Sequence, residues 1–197
     1  MAGFAAFGKM PALGDFVRIG AVPAFVTPWD HWVQDSLVSG RQACGDRWLD
    51  CYFSAPIWRF SLPPGLAGPG GILGIIMPSV DRVGRQFPLT LFTTTGTATA
   101  NHRTSGKAFA ALENIALDAL SDDATRDSLA AALTTVPPAA LKPPNQMSDH
   151  RSTWSALVEG GTRYVTFGGM PSPRESIGFF DLAADLWPHA RTEGSTA

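Results

Sequence analysis

The segment with the greatest chemical potential is PSVDRVGRQFPLTL, residues 78–91, in which Asp81 stands beside Arg82 and Arg85. A carboxylate next to guanidinium groups can act as a general acid or base, or as a metal ligand, with an arginine as an anion clamp. The same residues can instead pair and satisfy loop amides between two strands. Because no second acid lies nearby in the sequence, we favour a structural or surface-presenting role over catalysis.

A second polar loop lies near the N-terminus, where Gly-Asp-Phe at 14–16 is followed by Arg18. An aspartate in such a stretch commonly hydrogen-bonds its own backbone in a turn. Both loops are polar and punctuated by glycine, in a chain otherwise poor in charge. We therefore hypothesise that Asp15, Arg82 and Arg85 cluster at one end of a sheet, on a surface where charge selects a partner.

Enzyme signatures in the chain are incomplete. TSGKAF at 104–109 has Asn101 and Ala108 where a phosphate-binding loop needs a glycine and a hydroxyl. The chain has no G-x-S-x-G elbow and no H-E-x-x-H motif, and its four histidines are far apart in sequence. We expect no catalytic residues and no small-molecule substrate. The alternative is a small cytoplasmic hydrolase that uses Asp81 and an approaching histidine.

The two cysteines, Cys44 and Cys51, lie seven residues apart and would share one face of a helix. Their spacing matches no usual zinc motif, and His31 alone does not complete a site. We interpret them as small buried hydrophobic residues, as free cysteines often are. No metal and no cofactor are expected.

Composition excludes several classes of protein. The 197 residues are 45% hydrophobic, which is ordinary for a globular domain, and only 16% charged, which is low. With a net charge of −2, this composition argues against a disordered chain, which combines weak hydrophobicity with strong self-repulsion. A nucleic-acid partner is not expected, because binding phosphates requires an excess of basic residues. The N-terminus lacks a signal-peptide pattern, and no apolar run is long enough for membrane insertion. These features predict a cytoplasmic protein.

Hydrophobic periodicity predicts helices and strands in alternating blocks. A helix is predicted to begin at Pro28 with Thr27 as its N-cap. Further helices are predicted at 46–53, 105–120, 121–133 and 173–186. Strands are predicted within 3–8 and at 57–62, 72–78 and 86–94, with a β-hairpin around Gly160-Gly161. Residues 12–20 are predicted to be an irregular connection, and 136–150 a mobile surface loop.

This arrangement predicts one α/β domain over residues 1–190, followed by a polar tail at 191–197. The sheet is expected to be mixed but largely antiparallel, with helices packed on its faces.

Four segments in the first half of the chain form an ordered set of motifs. They are GKMPALGDFVR (8–18), WDHW (29–32), APIWRFSLPPG (55–65) and MPSVDRVGRQFPLTL (77–91). In order and spacing they resemble the TagF (ImpM) family of accessory proteins associated with the bacterial type VI secretion system. That family's usual pattern has a G-K-x-P-x-x-G-D-F-x-R opening, a W-D-x-W helix, an A-P-x-W-R-F strand and a P-S-x-D-x-x-G-R-x-F-P-L-T segment.

The resemblance implies a cytoplasmic, non-enzymatic protein that represses assembly of the secretion apparatus after translation, by acting on a scaffold component with a forkhead-associated (FHA) domain. It implies a three-layer α/β/α sandwich. The family has no catalytic residues to carry over, so the motif positions alone suggest the partner-binding residues, which are Asp15, Arg18, Asp81, Arg82 and Arg85. A purely architectural role inside the apparatus is a third possibility.

Overall fold

The structure, a computed structural model, describes residues 3–96, 99–137, 151–187 and 189–194. The helices are α1 (Pro23–Cys44), α2 (Trp48–Ser54), α3 (Gly106–Asp118), α4 (Arg126–Thr134) and α5 (Pro173–Ser176), with 3₁₀ turns at Gly45–Arg47 and Ile177–Phe179. The strands are β1 (Ala5–Gly8), β2 (Val17–Ile19), β3 (Trp58–Leu62), β4 (Ile72–Met77), β5 (Leu89–Thr94), β6 (Ser152–Val158), β7 (Gly161–Phe167) and β8 (Arg191–Glu193).

All eight strands belong to one sheet, in the order β2-β1-β5-β4-β3-β6-β7-β8. Every pairing between these strands is antiparallel. The largely antiparallel character that we predicted is therefore confirmed, but the prediction that some strands pair in parallel is wrong for the described strands. The apolar strand β4 is central and covered on both faces, which explains its continuous hydrophobic sequence. The predicted hairpin is confirmed, with Val158 opposite Gly161.

Helices pack on both faces of the sheet. On one face, α1 contributes Phe25 and Trp29 to an aromatic core with Phe60 and Trp154. The Trp29 ring centroid lies 4.7 Å from that of Phe60, and the buried Trp29 indole has a hydrogen-bond partner because it donates to Thr90 Oγ1 at 2.9 Å. The other face packs α3 and α4 on strand residues of a second cluster. No helix among the described residues has the length and hydrophobicity needed to cross a bilayer.

Two predicted boundaries in the N-terminal half are wrong. Helix α1 begins at Pro23 and contains Pro28, so Thr27 is not its N-cap. Pro23 occupies the first turn, where a proline is tolerated, and the buried Phe25 extends the apolar stripe back to it, so Pro28 lies inside the helix. Residues 12–20, predicted to be irregular, include the edge strand β2.

The C-terminal region also differs from the prediction. The helix expected at 173–186 is limited to α5 and one 3₁₀ turn, after which the Trp187 indole donates back to the Glu175 carbonyl at 3.0 Å. The predicted tail begins with β8, which pairs with β7. The predicted mobile loop at 136–150 lies outside the described residues from 138 onward.

Candidate functional site

The candidate site is built by two loops at one end of the sheet. One loop, residues 9–16, leaves the end of β1, and the other, residues 78–88, connects β4 to β5. Strand β1 pairs with the beginning of β5, and Met77 at the end of β4 lies opposite Leu89 at the beginning of β5. The two loops therefore emerge side by side.

Several hydrogen bonds join these loops directly. The Arg82 amide donates to the Leu13 carbonyl at 2.8 Å, and Arg85 Nη2 donates to the Gly14 carbonyl at 2.8 Å. Deeper in the structure, Ser79 Oγ donates to the Lys9 carbonyl at 2.8 Å. The loops that carry Asp15, Arg82 and Arg85 thus form one unit at one end of the sheet.

Asp81 is the centre of this unit, and its side chain is 0% exposed. Its Oδ2 atom accepts hydrogen bonds from Lys9 Nζ at 2.7 Å and Arg85 Nε at 2.6 Å. Its Oδ1 atom accepts from the Val83 amide at 3.1 Å and the Arg85 amide at 2.9 Å. The predicted pairing of Asp81 with an arginine and with loop amides is confirmed, and Gly84, with a φ of 81°, reverses the chain as expected.

The charge on Asp81 is fixed by this environment. Burial alone would raise the pKa of its carboxyl group, but the hydrogen bonds from Lys9, the two amides and Arg85 outweigh burial and hold that pKa well below its usual range. Asp81 is therefore a carboxylate at any physiological pH. We call Asp81, Lys9 and Arg85 the Asp81 cluster.

Lys9 is the member of this cluster that our candidate residues did not include. Its side chain is 8% exposed, and its Nζ atom lies 5.2 Å from the centroid of the Phe16 ring, within cation–π range. A lysine is rarely buried unless it is paired. Its position after the apolar strand β1 was the one signal in the sequence that could have indicated a buried charge.

The outer surface of the two loops combines cationic and apolar groups. The Arg85 side chain is 62% exposed, while Phe16 is 48% and Val83 is 70% exposed. Phe16 is held in place by ring contacts, with its centroid 5.6 Å from that of Phe7 and 4.7 Å from that of Phe87. Arg82 and Asp15 are also exposed. We define the corner patch as Asp15, Phe16, Arg82, Val83 and Arg85.

Two of the predicted partner-binding residues, Asp81 and Arg18, lie outside the corner patch. Asp81 is buried beneath the corner patch, so it positions Arg85 and cannot itself contact a partner in this conformation. Arg18 lies on the edge strand β2, where its Nε atom donates to the Ala21 carbonyl at 2.9 Å. That bond turns its guanidinium toward its own strand end, so we leave Arg18 out of the corner patch.

The hydrolase alternative lacks its required geometry at Asp81. Four donors occupy the two carboxylate oxygens, and none of them is a histidine. His102, a buried histidine, lies instead between Ser61 and Ser155 on β3 and β6. Ser61 pairs with Leu73, four residues or about 13 Å along β4 from Met77, which precedes the Asp81 loop.

The cysteines are both buried, as predicted. Burial, followed by interaction with the Cys51 thiol, raises the pKa of the Cys44 thiol to about 11, so this thiol is protonated at neutral pH in the absence of a bound cation. Sequence reasoning missed that both thiols meet Asp181, which is 130 residues farther along than Cys51.

Comparison with known proteins identifies the family. The family model described as the TagF N-terminal domain, type VI secretion system-associated, matches residues 5–136. A crystal structure of PA0076 from Pseudomonas aeruginosa PAO1 superposes with a TM-score of 0.78 and 25% sequence identity, over 94% of this chain and 97% of that one. No curated protein matches the chain. The family match covers about two thirds of the sequence and includes both loops of the candidate site. The chain therefore belongs to the TagF family of type VI secretion system-associated proteins.

Proposed function

We propose that this protein is a cytoplasmic, non-enzymatic regulator that represses the type VI secretion system after translation by binding an FHA-domain scaffold component through the corner patch. Membership of a type VI secretion-associated family supports the system in which it acts. The FHA-domain partner and the direction of regulation rest on the resemblance described above.

The observation that carries the choice of surface is the Asp81 cluster. A buried carboxylate with four donors fixes the backbone of one loop, and the loop-to-loop hydrogen bonds fix the other. A surface that is already rigid loses little conformational entropy on binding. This arrangement holds the Arg85 side chain, the Phe16 ring and the backbone of Arg82 in place before a partner arrives.

The chemistry of the corner patch matches that of binding hot spots, which are rich in arginine and aromatic residues. Arg82 and Arg85 provide two exposed cations against the single carboxylate of Asp15. We expect the complementary surface of the partner to carry acidic groups around an apolar depression that receives Phe16 or Val83.

The proposed fold is the three-layer α/β/α sandwich that the resemblance implies. Its support is the presence of separate hydrophobic clusters, with helices α1 and α2 in one and α3 and α4 in the other.

The function is tested in cells that carry an intact secretion cluster. Deleting the gene should raise secretion of the apparatus's effectors, and affinity capture of the tagged protein should recover the FHA-domain scaffold. Unchanged secretion under both inducing and repressing conditions would contradict the repressor role. Recovery of the protein in purified assembled particles would favour an architectural role instead.

The two arginines separate a binding defect from a folding defect. Arg85→Glu places a carboxylate against Asp81 and should lower the melting temperature as well as capture, because the Nε hydrogen bond to Asp81 is lost. Arg82→Glu alters a side chain that projects from the loop and should weaken capture with the melting temperature near that of the wild type. A large loss of stability in Arg82→Glu would contradict its placement in the binding surface.

A further inference from the structure

A second chemical group lies away from the corner patch, where the end of α1 meets the segment after the last 3₁₀ turn. Cys44 is the final residue of α1, Cys51 lies in α2, and Asp181 follows the turn Ile177–Phe179. One ligand atom from each residue, the two Sγ atoms and a carboxylate oxygen, lies within 4.8 Å of the others. The chain thus brings three potential metal ligands, two thiols and one carboxylate, together from three separate elements.

The dimensions suit a tetrahedral ion. Zinc binds thiolate at about 2.3 Å, so two sulfurs in a tetrahedral site lie about 3.8 Å apart, and carboxylate oxygen binds at about 2.0–2.2 Å. The ligand atoms need to approach by no more than about 1 Å from their present separations, which a small side-chain rotation provides.

A metal site also requires ligands whose orientation is fixed, and neighbouring groups fix the Asp181 carboxylate. Asp181 Oδ2 accepts from Arg47 Nη2 at 2.8 Å, and its Oδ1 accepts from the Ala183 amide at 3.2 Å, so the carboxylate orientation is fixed while lone pairs remain for an ion. With both thiols ionised, the site carries three negative charges, which Zn²⁺ and the Arg47 guanidinium would neutralise.

An entry path is also present. Cys51 and Asp181 line a cleft of about 290 Å³ that also contains Asp50 and Ser54. Cys44 lies behind them and is buried. An ion between the three ligands would therefore keep one coordination position facing the cleft, where water can bind.

We propose that Cys44, Cys51 and Asp181 form a binding site for a thiophilic divalent cation, Zn²⁺ being the ion that this mixed sulfur and oxygen set fits best. The site revises our expectation from the Cys44–Cys51 spacing that the cysteines are only small hydrophobic residues. Because its ligands come from α1, α2 and the segment after Phe179, the ion would fasten these elements together. This inference is independent of the proposed partner.

The direct test is a cobalt titration of the full-length, reduced, metal-stripped protein. Co²⁺ bound by thiolate gives a sulfur-to-metal charge-transfer band in the near ultraviolet. Zn²⁺ should displace the Co²⁺ and remove this band at about one Zn²⁺ ion per chain. Cys44→Ser and Cys51→Ser should abolish the band. Asp181→Asn should weaken binding at least about tenfold, since even changes outside the ligand shell commonly weaken binding 10–100-fold. Asp185→Asn, an exposed aspartate four residues along, is the matched control and should bind as the wild type does.

A second measurement keeps the test decisive if the serine variants fail to fold. In the wild-type protein, Zn²⁺ should slow alkylation of both thiols at sub-denaturing urea and raise the melting temperature. The absence of a thiolate band, a band that persists in Cys51→Ser at wild-type affinity, or alkylation rates that Zn²⁺ leaves unchanged would each overturn the site.

Discussion

His102 provides a quantitative prediction because its ring is buried and neutral. Its Nδ1 atom lies 3.1 Å from Ser61 Oγ and its Nε2 atom 2.7 Å from Ser155 Oγ, so both ring nitrogens have hydroxyl partners. Burial, and then the positive charges of Arg59 and Arg103, lower the pKa of His102 to about 3. Both serines are buried as well, so water has little access to solvate a charged ring.

The sign of the pH dependence follows from this depressed pKa. In the unfolded chain the histidine pKa is about 6.5, so acidification protonates the unfolded state first and favours it. The free energy of unfolding should therefore fall as pH drops below 6.5, at about 1.4 kcal/mol per pH unit until the folded-state pKa is reached. Between pH 7.5 and pH 5 the loss amounts to about 2 kcal/mol. Carboxylates contribute little in this window, because their unfolded pKa values lie near 4.

The assay is urea unfolding of the wild type and two variants at pH 7.5, 6 and 5. His102→Gln should have a lower starting stability but lose much less than the wild type between pH 7.5 and pH 5. His31→Gln, which changes an exposed histidine on α1, should lose as much as the wild type. A wild-type stability that is flat over this range, or a His102→Gln loss equal to that of the wild type, would refute the buried neutral imidazole.

Two further predictions concern buried structure and use thermal unfolding. Asp81→Asn should lower the melting temperature by about 4 °C or more, because a neutral amide cannot balance the buried charge of Lys9. Asp15→Asn, which changes an exposed side chain, should shift the melting temperature by less than about 2 °C. Equal shifts in the two variants would contradict the structural role of the Asp81 cluster. Gly74→Ala should lower the free energy of unfolding by about 1–3 kcal/mol, since the new Cβ atom would lie 2.4 Å from the Leu91 carbonyl oxygen. Gly106→Ala is the control, because a Cβ atom there has no other atom within 4 Å, and this change should be neutral or stabilising.

The sequence was most informative where contacts are local. Asp81 and Arg85 are four residues apart, and the amides that bind the Asp81 carboxylate belong to the same turn. Turn chemistry and hydrogen-bond inventories therefore predicted the structural role of Asp81. The same reasoning could not predict that Asp81 is buried, because its buried ion-pair partner, Lys9, is 72 residues away in sequence.

The elements that were missed or misplaced depend on tertiary contacts. Strand β2 is three residues long and is a strand only because β1 lies beside it. The start of α1 was misplaced because the local signals, Thr27 as an N-cap and Pro28 at the first position, favour the later proline. The packing of Phe25 against Phe92, with ring centroids 3.8 Å apart, extends the helix back to Pro23. Asp181 likewise lies near the two cysteines only because the segment after Phe179 packs close to the end of α1, which local sequence patterns do not reveal.

The proposal that the corner patch held by Asp81 binds the FHA-domain scaffold is tested by a calorimetric titration of purified scaffold with three forms of this protein. The wild type should bind, and Arg82→Glu should raise Kd at least about tenfold, as expected for an arginine in a binding hot spot. Arg174→Glu, the same charge reversal on an exposed arginine of α5, should leave Kd unchanged. Equal Kd values for both reversals, with both proteins folded, would contradict the claim.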